Sequence, residues 1–215
     1  MNKFITAEDA VSRVKSGMTL MIGGFLGVGS PLKIIDLLVQ SEVKDLTIIC
    51  NDAAFVDKGL GKLIVNKQVK KVISSYIGSN PSCIDQMNAK EIEVEFVPQG
   101  TLAEKVRSGG AGIGGFLTQT GLGTVVENGK QIINLDGKDY ILEKALRADM
   151  ALIGATIADK KGNLIYKGTS QNFNPLMASA ADIVIVEAEE IVETGTLPME
   201  NIKTPHVFVD YIVAQ

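Results

Sequence analysis

Four short apolar runs constrain this chain more than any other feature. Leu20–Ile22, Leu46–Cys50, Met150–Ile153 and Ile183–Val186 hold almost no polar residue and are too short for helices. Such runs mark strands buried on both faces, as in a parallel sheet covered by helices. Segments of helical character lie between them. Thr6 and Asp9 form a capping box for a helix ending near Gly17. Ser30 as N-cap and Pro31 as first helical residue open a second helix over 31–40, with Ile34, Ile35, Leu38 and Val39 inward. The pattern further predicts a strand at Val69–Ile77 and a helix at Cys83–Lys90. It also predicts an alternating, edge-like strand at Glu91–Val97, a short helix Thr101–Arg107 stopped by Gly109, and a helix Pro175–Ala181. Asp136-Gly137 joins Gln131–Leu135 to Lys138–Leu142 as a hairpin, and Lys161-Gly162-Asn163 turns into Leu164–Tyr166 as another. The expected fold is α/β: an open, mostly parallel sheet flanked by helices, with antiparallel hairpins added in the second half, as one domain over residues 1–215.

Composition excludes several classes. A net charge of -4 argues against a nucleic-acid partner. One histidine, His206, and two cysteines, Cys50 and Cys83, cannot build a His-rich metal site. Any Ser-His-Asp chemistry would have to use His206. The cysteines show no C-x-x-C spacing and read as small buried hydrophobes. Glu8 and Asp9 arrive early with no apolar segment before them, and no run approaches the ~18 residues of a membrane helix. A cytoplasmic protein without a membrane partner is expected.

Glycine makes up 22 of the 215 residues, and much of it is clustered. Gly23, Gly24, Phe25, Gly27 and Gly29 lie between the first strand and its helix. Absent Cβ atoms there let backbone N–H groups approach an anion at a helix start. Neither G-x-x-x-x-G-K-[ST] nor G-x-G-x-x-G is present, which argues against a P-loop or a dinucleotide site. A tight connection without a ligand explains the motif equally well. Gly109-Gly110-Ala111-Gly112-Ile113-Gly114-Gly115-Phe116 is a second cluster, suited to a bulky ligand, to oxyanion donors, or to a mobile loop. Asn51-Asp52 and Gln99-Gly100-Thr101 follow predicted strands, where uncharged amides can hold a carbonyl or carboxylate; helix caps are the alternative. Lys67, Lys70 and Lys71 form a basic run that could meet phosphates or simply face solvent.

Together these segments resemble the α subunits of family I coenzyme A transferases. Gly17-x-x-Leu20-Met21-Ile22-Gly23-Gly24-Phe25-x-x-x-Gly29-x-Pro31 matches their signature, except that Ser16 stands where Asp or Asn is usual. Further matches are Asn51-Asp52, Pro98-Gln99-Gly100-Thr101-Leu102, Arg107-x-Gly109-Gly110-Ala111-Gly112, Thr120-Gly121-x-Gly123-Thr124 and Asn172-Phe173-Asn174-Pro175, in order along nearly the whole chain. The likeness extends to the A subunits of acetate/butyrate–acetoacetate transferases and to the N-terminal half of succinyl-CoA:3-ketoacid transferases. It implies an α2β2 enzyme that moves CoA between short-chain acyl-CoA and free carboxylates such as acetate, butyrate and acetoacetate. The implied route is ping-pong through a glutamyl-CoA thioester, with the glutamate on the β subunit and no cofactor or metal. It also implies a site wall of Gly23, Gly24, Phe25, Gly27, Gly29, Asn51, Gln99, Gly100, Gly112, Gly114, Gly115 and Phe116. Glu127-Asn128-Gly129 imitates the family's Ser-Glu-Asn-Gly, but Val126 replaces the Ser and the segment reads as a turn. A sugar-phosphate isomerase or deaminase, with Asp52 or Glu104 as base, and a non-enzymatic acyl-CoA-binding protein are the competing readings.

Overall fold

The computed structural model describes residues 3–215. The capping box is present: Thr6 accepts from the Asp9 N–H, and Asp9 from the Thr6 N–H, at the start of helix α1 (Ala7–Ser12). The chain continues through β1 (Thr19–Ile22), α2 (Leu32–Val39), β2 (Leu46–Ile49), α3 (Gly61–Val65), β3 (Val69–Ser74), α4 (Pro81–Asn88), β4 (Glu93–Phe96) and α5 (Gln99–Gly110). The second half contains β5 (Gly115–Thr118), β6 (Ile132–Leu135), β7 (Lys138–Lys144), β8 (Ala148–Asp159), β9 (Leu164–Ile165), α6 (Asn174–Ser179), β10 (Ala181–Val192) and β11 (Tyr211–Ala214).

The main sheet runs β11-β10-β8-β1-β2-β3-β4, with β9 added beside β8, and β5-β7-β6 form a separate three-stranded sheet. All pairs along the main path are parallel, and the β9 pair and the small sheet are antiparallel. The α/β expectation therefore holds, hairpins included. Alternation along β1 splits the core into two layers. Leu20 and Ile22 join Ile34, Ile35 and Leu38 of α2 and Leu63 and Ile64 of α3 on one face. Met21 joins Leu102 and Val106 of α5 and Met177 of α6 on the other. Cys50 and Cys83 are free thiols inside the first layer, where burial raises both, Cys83 to about 11. No helix among the described residues is long and apolar enough to cross a membrane.

Two local expectations are corrected. Ser30 does not cap α2: Pro31 takes the cap position without a side-chain bond, and the Ser30 hydroxyl donates to the Gly23 carbonyl at 2.9 Å. The cap comes from far along the chain, where the buried Glu187 carboxylate of β10 accepts from the N–H groups of Lys33 (3.1 Å) and Ile34 (2.9 Å). A carboxylate there also meets the positive end of the helix. Gly109 does not stop α5, which continues through Gly110 to a cap at Ala111. A Cβ on Gly109 would lie 1.9 Å from the Leu146 carbonyl, and one on Gly110 2.1 Å from Ser179 Oγ, so these glycines admit neighbouring backbone and side chain rather than end a helix.

Asp159 organises the β8–β9 hairpin. Its Oδ1 accepts from the N–H groups of Lys161, Gly162 and Asn163 at 2.8–3.0 Å, and its Oδ2 from Asn163 Nδ2 at 2.8 Å. Burial by itself would raise this carboxyl, but the donors outweigh it and hold it below the usual aspartate range. Asp159→Ala should cost about 2 kcal/mol at neutral pH, read as a lower thermal midpoint. A lowered native pKa means the stabilisation is complete above the unfolded value of ~3.9 and is lost as pH falls through the native value. The gap between variant and parent should therefore close in acid; a gap that persists unchanged would contradict this assignment.

Candidate functional site

Strand order reverses at β1: later strands β8, β10 and β11 lie on one side, and β2, β3 and β4 on the other. Ligands of open parallel sheets bind outside the carboxyl ends of strands near such a reversal. There β1 runs into Gly23-Gly24 and the chain doubles back. Phe25 and Val28 exchange both backbone hydrogen bonds at 2.9 Å. Leu26 (φ 49°) and Gly27 (φ 83°) between them are left-handed, as a type I′ turn requires.

This turn is held from outside. The Leu26 N–H donates to Asp52 Oδ1 and Oδ2 at 3.2 and 3.1 Å, and the Gly24 N–H to Asn172 Oδ1 at 3.1 Å. Asn172 Nδ2 donates to the Val28 carbonyl at 3.2 Å, and Asn174 Nδ2 to the Gly29 carbonyl at 2.9 Å. A Cβ on Gly23 would stand 1.6 Å from Asn174 Oδ1. The N–H groups of Gly23, Gly24, Phe25, Leu26 and Val28 are thus all used inside the chain. The loop is a rigid wall, not a row of donors for an anion along its length.

Phe25 and Leu26 line a crevice of 380 Å³ with Asn51, Asp52, Ser75, Tyr76 and Gln99. Asn51-Asp52 follow β2, Ser75-Tyr76 follow β3, and Gln99 opens α5 after β4. The Ser75 hydroxyl lies between Gln99 Oε1 and the Asn51 carbonyl. With Oε1 engaged, the Gln99 NH2 remains as a donor with no partner among the described residues, and the Asn51 side-chain amide is likewise unbonded. Asp52 differs. Its oxygens take the Leu26 N–H and, at 2.8 Å, the Ala54 N–H, while burial raises its carboxyl against the pull of those two donors. The crevice therefore offers two neutral amides beside aromatic and aliphatic walls, suited to holding a carbonyl or carboxylate next to a small apolar group.

The remaining expected residues fall elsewhere. Gly23 and Gly24 are buried. Gly27 and Gly29 line a different cavity of 210 Å³, shared with Gly154 of β8 and Glu187 of β10. Gly100 and Phe116 line a groove of 450 Å³ between α5 and β5, next to the crevice through the Gln99–Gly100 link. Gly112 and Gly114 border a third hollow with Ile113 and Arg147. Gly115 sits in β5, where a Cβ would be 2.5 Å from the Glu143 carbonyl. The sequence reading missed Leu26, Ser75 and Tyr76; the polar pair Ser74-Ser75 after the β3 run was the available signal, parallel to Asn51-Asp52 after β2. Glu127 accepts the Gly123 N–H at 2.7 Å inside its own turn and lines no part of the crevice. Glu104 is paired with Arg107. Lys67 is paired with Glu91, and Lys71 with Glu93 and Glu95, so only Lys70 of the basic run is unpaired among the described residues. No group of three or more His, Cys, Asp or Glu side chains among the described residues could hold a metal ion.

Fold and site together define a doubly wound α/β protein whose crevice at the strand ends has neutral amides and an apolar wall. This chain belongs to the coenzyme A transferase family: the family model described as Coenzyme A transferase matches residues 4–215, and its full-length relatives place it with the α subunits. It is 54% identical to the acetate CoA-transferase subunit alpha of Escherichia coli (strain K12), over 98% of this chain and 96% of that one. It is 53% identical to the acetoacetyl-CoA:acetate/butyrate CoA transferase alpha subunit of Clostridium acetobutylicum, over 100% of this chain and 98% of that one. The fold is shared with the acyl-CoA transferase of Escherichia coli O157:H7 solved as a thioester complex with CoA, at TM-score 0.88 and 24% identity, over 99% of this chain and 47% of that one.

The packing of Gly23 against Asn174 yields a stability test. Gly23→Ala forces a methyl group into the Asn174 amide and should cost about 2–3 kcal/mol. Gly100→Ala, where a Cβ meets nothing within 4 Å in the first turn of α5, should be neutral or stabilising by up to ~1 kcal/mol. Denaturant melts of the two variants should separate clearly, and coincident melts would remove the clamp.

Proposed function

We propose that this chain is the α subunit of a heteromeric transferase that moves CoA between short-chain acyl-CoA esters and free carboxylates such as acetate, butyrate and acetoacetate. The observation that carries this reading is the crevice: two free amide donors, on Asn51 and Gln99, beside Phe25, Leu26 and Tyr76, with its one carboxylate, Asp52, already committed to backbone N–H groups. Such a wall can polarise a thioester carbonyl and seat a small apolar acyl chain, but it supplies no free nucleophile. The nucleophile is a glutamate on a β subunit, in an α2β2 assembly. Its carboxylate attacks the thioester carbonyl and expels CoA thiolate, leaving a mixed anhydride. The thiolate then attacks the glutamyl carbonyl and releases the first carboxylate, giving the glutamyl-CoA thioester. An incoming carboxylate takes CoA by the reverse sequence. Amide donors at Asn51 and Gln99 stabilise the oxyanion in each addition.

In this reading Gly23, Gly24, Gly27 and Gly29 shape the wall that carries Phe25. Gly100, Phe116, Gly112, Gly114 and Gly115 flank the path of the CoA arm. No cofactor beyond the CoA of the substrate is required. The cytoplasm, where thiols such as Cys50 and Cys83 stay reduced, is the compartment we assign. The apolar walls and neutral amides suit monocarboxylic acyl groups.

The test is borohydride reduction of the purified two-subunit enzyme after exposure to acyl-CoA. Tritium should appear on a glutamate of the β subunit; label at Glu127 of this chain would overturn the assignment. In the same assembly Gln99→Ala should lower kcat about 10²-fold, the scale of one lost oxyanion donor. An unchanged kcat would remove Gln99 from the site.

A further inference from the structure

Two residues near the crevice stand in a conformation their side chains disfavour. Leu26 has φ 49° and Ala54 has φ 51°. Neither is glycine, and neither is an Asn or Asp able to bond its own backbone there. Left-handed positions of this kind persist only when the surroundings enforce them, and they concentrate at functional sites. Both N–H groups end on the same carboxylate. Asp52, 3% exposed, accepts from Leu26 through both oxygens and from Ala54 through Oδ1. The backbone of Asp52 also bridges Tyr76, and the Ala53 N–H donates to the Tyr76 carbonyl at 3.1 Å. One carboxylate thereby joins the segments that follow β1 and β2, and its own backbone joins the segment that follows β3.

We propose that Asp52 is a positioning residue: its carboxylate holds Leu26 left-handed and so sets where Phe25 and Leu26 stand against the reacting group. The effect on turnover rests on the transferase reading above; the effect on the turn does not. A free I′ turn favours Asn-Gly, and this one is Leu-Gly. The carboxylate from the next strand end supplies what the turn's own sequence lacks. Because both oxygens are committed to N–H groups, Asp52 touches the turn and not the reacting atoms. Its contribution is geometric.

The experiment uses the full chain assembled with its β subunit and takes two readouts from the same preparations: steady-state transfer from acyl-CoA to a short carboxylate, and amide hydrogen exchange over residues 23–30. Asp52→Ala should lower kcat about 5- to 30-fold, since a left-handed residue costs about 1–2 kcal/mol to hold and each ~1.4 kcal/mol is tenfold in rate. KM for acyl-CoA should move far less. Exchange over 23–30 should accelerate by a similar factor. Adding Leu26→Asn, which restores the preferred Asn-Gly pair, should return kcat and protection towards those of Leu26→Asn alone. Asp52→Asn, nearly isosteric and still an acceptor, should be intermediate and serves if the alanine variant does not fold. Parent-like exchange in both Asp52 variants overturns the proposal. So does a kcat loss that Leu26→Asn leaves uncorrected, which would assign Asp52 to the chemistry. If the parent assembly transfers no CoA, the transferase reading fails, while the exchange data still decide the role of Asp52.

Discussion

The glycine loop that walls the crevice depends on one buried amide. Asn174 is fully buried, and its Nδ2 ties the Gly29 and Ser170 carbonyls. Its Oδ1 has no donor among the described residues and fills the space beside Gly23 where any other residue would place a Cβ. An unpaired buried oxygen costs about 1–3 kcal/mol, so this contact is not there for stability alone. It pins both ends of the glycine loop at once. Only with those ends fixed can a two-residue turn present Phe25 at a defined place, and only then does the carboxylate of the adjoining strand end meet the N–H at its tip.

The division of charge follows from that arrangement. Where the chain buries an acid, it assigns the acid to backbone or to lysine. Glu187 caps α2, Asp159 closes a hairpin, and Glu143, 1% exposed, is shared by Lys105 of α5 and Lys130. The last cluster also anchors the small sheet to α5, which keeps Phe116 opposite Gly100. The amide donors left free at the crevice are neutral: the Asn51 amide and the Gln99 NH2.

Much of this was legible in the residues because it is local. The apolar runs, the Thr6–Asp9 box and the Asp136-Gly137 turn each encode their structure within a few positions, and all formed where expected. The elements that escaped are set by distant partners. Strand β11 pairs with β10 through an ordinary Tyr-Ile-Val-Ala stretch, and β5 is a strand only because β7 lies beside it. The two glycines inside helix α5 are there because Leu146 and Ser179 crowd the space any side chain would need, a reason no local pattern shows. The site shows the same split. Asn51, Gln99 and Phe25 stood out by residue type and position, and they share the crevice. Gly27, Gly29, Gly112 and Gly114 stood out equally, yet close approach of Lys58 and Ser170 explains Gly27 and Gly29 without any ligand, while a Cβ on Gly112 or Gly114 would meet nothing within 4 Å. Ser75 carried no mark beyond following a strand.

The cap on α2 has a consequence for how the chain assembles. Glu187 lies 153 positions beyond Ile34, and β1, which leads into that helix, sits in the sheet between β2 and β8. As the polypeptide emerges from the ribosome, β1, β2, β3 and β4 can associate early, but one margin of β1 stays open until β8 arrives, and the first turn of α2 stays bare until β10 follows. Pairings that close so late slow folding and leave an apolar strand edge available to neighbours. The first turn of α2 can gain its carboxylate cap only when the last quarter of the chain has been made.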